Sequence, residues 1–286
     1  MFKQLSSLSK ATLFYGIALS LILLLALLGQ GLGEAILAIA MFTPVAAVLL
    51  MQLVLTRDGT TRAGWRILGL HRSGLRLWGF AILTPFLVLL CTYGIIWAAG
   101  LGQLDLTALA GSGSFLGTVF NLLISLIISM ILVFGEEIGW RGYLLPHLLP
   151  LGRTRALLLS GLLHGIWHLP IMLLTPFYHA SGDRLTVAAL FLLSTTFGGV
   201  FFGYLRLTSQ SVWPAVLAHG AVNMFWTMFM SITVAVTSAE VLEYWAGESG
   251  VITLLEIALI AGWLIYRLRR QPGSEQTALS TLEVHS

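Results

Sequence analysis

Apolar residues run almost unbroken along this chain in stretches of about twenty, with no alternation of polar and apolar positions that would mark a membrane barrel strand. A run of roughly 20 apolar residues is what a helix needs to cross a hydrocarbon core of about 30 Å. The pattern predicts eight such helices, at approximately 11–30, 34–56, 77–99, 116–146, 156–175, 186–206, 212–237 and 250–267, separated by short loops carrying Gly, Pro, Ser or charge. Only helices satisfy the backbone of such segments in lipid, so the expected fold is all-α: a polytopic membrane protein with about eight transmembrane helices. The first run is too long for a signal peptide and lacks a small-residue cleavage site, and is read as a retained helix. Residues 57–76 are basic with apolar interleaving that includes Trp65, a pattern that lies along a membrane surface. Residues 1–270 form one transmembrane domain, and 271–286 a polar, mobile tail.

Composition agrees with this pattern. Of 286 residues, 57% are hydrophobic and 9% charged, against about 25% charged in a soluble domain. The single thiol, Cys91, excludes an intrachain disulfide and a cysteine zinc cage, and a net charge of +3 is too small and scattered for a nucleic-acid groove. Its placement carries more information. With the first helix entered from the cytoplasm, fourteen Lys and Arg residues fall at the cytoplasmic side and Arg184 alone outside, as the positive-inside rule requires. Both termini are therefore expected in the cytoplasm, in an inner (plasma) membrane, while Glu240, Glu243 and Glu248 share an external loop. No internal repeat of the transporter kind is visible. Gly161 with Gly165, and Gly199 with Gly203, would let the fifth and sixth helices approach their neighbours closely.

Ionisable groups within a bilayer cost at least about 2.5–3.5 kcal/mol each at a helix centre, so those that persist usually line a cavity and act there. They cluster in three segments: Glu136-Glu137 with Arg141 on the fourth helix, His164 with Trp167 and His168 on the fifth, and His219 with Asn223 on the seventh. Adjacent residues point about 100° apart on a helix, whereas i and i+4 share a face. Glu137 can therefore be held by Arg141, leaving Glu136 without a local partner and free to handle a proton. His164 and His168 present two imidazoles on one face, and so could hold a metal or simply bond between helices. His219 and Asn223 set an imidazole and an amide donor toward one space. All three segments lie roughly 10–18 Å from the cytoplasmic ends of their helices, which a shared cavity opening to the cytoplasm would require.

These motifs, Glu-Glu-x-x-x-Arg, then His-x-x-x-His, then His-x-x-x-Asn, resemble the hallmark of the CPBP group of CaaX proteases and bacteriocin-processing proteins, over roughly residues 116–230. The resemblance implies a CaaX-endopeptidase-like bundle that cleaves a peptide bond near the cytoplasmic membrane face. The substrate would be a peptide, prenylated in the eukaryotic enzymes, and the surrounding partner the membrane lipid. It also implies catalytic roles for Glu136, Glu137, His168, His219 and Asn223. Glu136 would deprotonate a water held also by His168, His219 and Asn223 would stabilise the oxyanion, and Glu137 and Arg141 would orient the helix. His164, where the eukaryotic enzymes carry Phe, and Trp167 are additional or substrate-binding positions. The family is often called metalloprotease. His168 with His219 could ligate zinc, yet a glutamate and two histidines could equally activate water without metal. Two other functions fit the same residues: a catalytically silent protein that binds hydrophobic or lipidated peptides in an immunity or chaperone role, and a proton-coupled transporter with Glu136, His168 and His219 as a relay. A relay would need Glu256, on the last helix, to face the Glu136 cavity. Otherwise Glu256 is expected to snorkel to the outer interface.

Overall fold

A computed structural model describes residues 5–107, 114–179, 181–236 and 238–270. The expected tail, 271–286, lies outside the described residues. Among the described residues eight long helices stand where the apolar runs predict them: α1 (Ser7–Leu28), α2 (Ala35–Leu55), α4 (Leu75–Ala98), α5 (Phe115–Leu151), α6 (Arg153–Leu174), α7 (Arg184–Ser209), α8 (Trp213–Ser231) and α10 (Val251–Arg269). Among the described residues two short α-helices, α3 (Arg62–Arg66) and α9 (Ala239–Trp245), lie in loops. Seven of the eight long helices are long and apolar enough to cross a membrane. The exception, α8, is diluted by His219 and Asn223 along with Trp213 and Pro214; His219 and Asn223 line a cavity within the bundle. The chain is an all-α, integral, multi-pass membrane protein.

The helices alternate in direction, and the loops meet at two ends. At the end that carries Ser7, Lys10 binds Asp58 at 2.7 Å, Arg76 reaches the Thr208 carbonyl and Ser211 reaches that of Arg72. This end gathers the basic residues of 57–76. At the opposite end Gln30 donates to the Leu174 carbonyl, and two strands unforeseen in the sequence, β1 (Gly102–Leu104) and β2 (Thr233–Ala235), pair antiparallel with Gln103 opposite Val234. Arg184, the lone cation expected on that side, donates to the carbonyls of Met172 and Thr175 and so closes the C-terminal end of α6.

Close packing sets the site. A Cβ on Gly161 would come within 2.6 Å of the Thr195 and Thr196 carbonyls, and one on Gly199 within 2.4 Å of the Gly161 Cα. Gly165 and Gly203 lie in the same α6–α7 seam, against Thr195 and Leu157, so both glycine pairs serve one helix contact. Gly135, just before the two glutamates, holds α5 against the Met41 carbonyl of α2. After Glu137, α5 widens into a π-helical stretch, Ile138–Leu144, a distortion that recurs at functional sites because it re-aims side chains.

Candidate active site

The three polar segments converge on one network. Arg141 Nη1 donates to Glu137 Oε1 at 2.8 Å, with both side chains fully buried, as the i, i+4 spacing predicts. The same Nη1 lies 3.3 Å from His164 Nδ1. A guanidinium has only donors, so His164 Nδ1 accepts, the ring proton sits on Nε2, and Nε2 donates to Glu136 Oε2 at 2.7 Å. Glu136 therefore does have a partner, contrary to the reading of α5 alone: His164 comes to it from α6. The residue that resemblance made an additional position is the one hydrogen-bonded to this carboxylate.

His219 is placed differently from its neighbours. Its Nδ1 lies 2.9 Å from Glu137 Oε1, which must accept. Glu137 thus ties Arg141 of α5 to His219 of α8 through one oxygen, while Oε2 is buried without a hydrogen-bond partner among the described residues. The Arg141 guanidinium also sits over the Phe202 ring at 4.9 Å, and Phe202 stacks on His219. His168 Nδ1 donates to the His164 carbonyl at 3.2 Å, which leaves Nε2 as the free nitrogen. Its ring packs on Trp167, Tyr178 and Phe191.

These groups form a wall of a cavity of about 350 Å³ whose lining is mostly apolar. Glu136, His164, Trp167, His168, His219 and Asn223 all line it, whereas Glu137 and Arg141 lie behind the wall. From this wall the lining extends to Tyr178 and Glu248, at the end opposite the basic residues. Those two belong to a cluster that sequence reasoning did not assemble. Tyr178 donates to Glu248 at 2.6 Å, and His179 lies between Glu243 Oε1 at 2.5 Å and Glu248 Oε1 at 3.1 Å. Burial alone would push His179 down, but the two carboxylates outweigh it and hold it up at about 9. The acidic loop was visible in the sequence; its histidine, more than sixty residues earlier, was not marked by any spacing.

Glu256 does not face the cavity. Thr253, Ile257 and Ile260 of α10 line it, and Glu256 turns to α4, where Thr92 donates to its Oε2 at 3.0 Å. Neither the snorkelling expected of it nor the relay position follows, because a hydroxyl within the bundle is nearer than the interface.

Among the described residues one group could hold a metal by spacing: Glu136, His164 and His168, whose ligand atoms all lie within 4.8 Å of one another. His219, which resemblance paired with His168 as a zinc ligand, stands outside this triplet. The hydrogen bonds oppose ligation by all three residues. With Nδ1 facing a guanidinium, His164 carries its proton on the nitrogen aimed at Glu136, and a protonated nitrogen is not a ligand. Glu136 and His168 alone fall short of the three protein ligands usual in catalytic zinc sites.

Residues 118–225, which carry all three motifs, match the family described as Type II CAAX prenyl endopeptidase Rce1-like. That part of the chain is thus Rce1-like, consistent with the CPBP and CaaX-protease family. No curated protein matches the chain.

Proposed function

We propose that this protein is an intramembrane endopeptidase that hydrolyses a peptide bond with a water activated by Glu136 and His168, in a step that does not pass through a metal. The observation that carries this reading is the orientation of Glu136. A buried chain of hydrogen bonds from Arg141 through His164 fixes one carboxylate oxygen, beside a cavity into which His168 can offer a bare Nε2. The water would lose its proton to Glu136, and the hydroxide would attack the scissile carbonyl. The oxyanion would take hydrogen bonds from the Asn223 amide and from Nε2–H of His219 in its imidazolium form, because Nδ1–H is committed to Glu137. Glu136 would then return the proton to the departing amine. Glu137 and Arg141 act through others: Glu137 sets the His219 ring and Arg141 sets His164.

The largely apolar lining suits a hydrophobic or lipidated peptide. With the basic end in the cytoplasm, both chain ends are cytoplasmic, and the described lining leads toward the external loops. The test is cleavage of a peptide library, including prenylated CaaX peptides, by the purified protein and by Glu136→Gln, read by mass spectrometry. Cleavage confined to the wild type is expected, and the cut positions define the substrate. Cleavage that persists in Glu136→Gln refutes the assignment of the base. Saturable binding of hydrophobic peptides with no cleavage by either would favour a silent binding protein instead.

A further inference from the structure

A second charged group is buried where the proposed chemistry has no use for it. Arg206, near the end of α7, is 6% exposed. Its Nη2 donates to the Ile67 carbonyl at 2.7 Å, and its Nε is buried with no hydrogen-bond partner among the described residues. A guanidinium stays ionised, and a buried charge is costly unless it is paired. The ion pairs of the described residues join Lys10 with Asp58, Arg141 with Glu137, and histidines with Glu136, Glu137, Glu243 and Glu248. None of them reaches Arg206.

Its surroundings add positive charge rather than remove it. Arg72 acts electrostatically on Arg206, and Arg66, Arg72 and Arg206 all act on His71. The His71 imidazole is pushed below its ordinary value, first by desolvation and then by these three cations. Arg66, His71 and Arg72 have exposed side chains, and they flank the Ile67 carbonyl and Gly69, which pack against the buried Arg206 guanidinium. The loop between them presents its carbonyls inward: those of Gly69, Leu70 and Arg72 take Val212 N–H, Trp213 Nε1–H and the Ser211 hydroxyl. Gly69 adopts a φ of +73°, and a Cβ there would lie 2.9 Å from Arg206 Cζ, so a glycine is what allows the loop to settle on the guanidinium. Just beyond it, Leu75 is 65% exposed at the start of α4, which places the cations beside an apolar surface.

We infer that Arg206, Arg72 and Arg66 form a binding site for a phosphate-bearing anion at the basic end of the bundle, and that the headgroup of an anionic phospholipid supplies it. Cations beside an apolar helix end sit where headgroups sit, and each contributes to attraction for an anionic surface. This site is independent of the protease reading, since none of its residues lines the cavity.

The experiment is thermal unfolding of the full chain in neutral detergent, titrated separately with phosphatidylglycerol, phosphatidylcholine and sodium phosphate. Phosphatidylglycerol should raise the melting temperature saturably, and phosphatidylcholine should not. Because Arg206→Gln could fail to fold, the exposed pair Arg66→Gln/Arg72→Gln is the main variant; it should bind phosphatidylglycerol about 25-fold more weakly, about fivefold for each charge removed. The control Arg153→Gln/Arg155→Gln, with the same change of charge at the same end, should stay within about twofold of the wild type if the site is local. Equal saturation by sodium phosphate, lost in the same pair, keeps the anion site and makes its source soluble. No saturable response to either anion, an equal response to phosphatidylcholine, or an equal loss in the control overturns the inference.

Discussion

Glu136 and Glu137 are adjacent and both buried, yet replacing each by glutamine should have opposite consequences. Glu137 Oε1 receives Arg141 Nη1 at 2.8 Å and His219 Nδ1 at 2.9 Å, and Arg141 has no other carboxylate bonded to it among the described residues. Glu137→Gln retains an acceptor but removes the charge, leaving a fully buried guanidinium unpaired, which costs about 3–5 kcal/mol. At about 2–4 °C for each kcal/mol in a chain of this size, the melting temperature should fall by roughly 10 °C. Glu136 is different, since its described hydrogen bond is the one from His164 Nε2. A glutamine oxygen accepts that bond equally well, and a charge leaves a mostly apolar wall, so stability should change by no more than about 1 kcal/mol. The loss of a general base should instead lower cleavage by about 10²–10⁴-fold. Both readouts come from one preparation: unfolding followed by tryptophan fluorescence in detergent, and peptide cleavage by mass spectrometry at a temperature where both variants are folded. If Glu136→Gln unfolds as early as Glu137→Gln, or keeps its activity while folded, the division of roles between the two carboxylates is wrong.

Three further outcomes follow from the same geometry. Cleavage should survive treatment with a strong chelator, because His164 Nε2 keeps its proton and donates it in a hydrogen bond to Glu136; loss of activity restored by zinc would falsify the metal-free step. Gly161→Val should force α6 from the Thr195 and Thr196 carbonyls 2.6 Å away, costing about 3 kcal/mol, measurable as a lower melting temperature, whereas the same change at Gly16, with nothing within 4 Å, should be nearly neutral. The Tyr178–Glu248 end of the cavity should be sensitive to pH. His179 is held up at about 9 by Glu243 and Glu248 against its burial, so its contribution of about 3 kcal/mol is complete below its unfolded value near 6.5 and is lost as pH rises through about 9. His179→Gln should therefore be less stable than the wild type at pH 6.5 and converge with it above about 9; a constant difference across that range would show that the imidazole acts only by packing.

The sequence by itself determined the architecture and the membership of the polar network. Runs of about twenty apolar residues leave a chain no option in lipid but spanning helices, and the i, i+4 spacing put Glu137 on the face of Arg141 before any tertiary information was needed. It also named Glu136, His164, His168 and His219, because charged and imidazole groups stand out against an apolar background. Which of these groups bond to one another was decided only by tertiary structure. A helical period fixes the direction of a side chain relative to its own axis, not the rotation of one helix against the next. That rotation here depends on glycines that let α6 lie on α7 and α5 on α2. Hence His164 meets Glu136, His219 meets Glu137 and not His168, Glu256 turns to Thr92, and His179 joins Glu243 and Glu248 across more than sixty residues. The Arg206 site has the same origin: each arginine reads in sequence as one more positive charge on the basic side, and only the seating of the 67–72 loop on the turn after α7 buries one of them among the others.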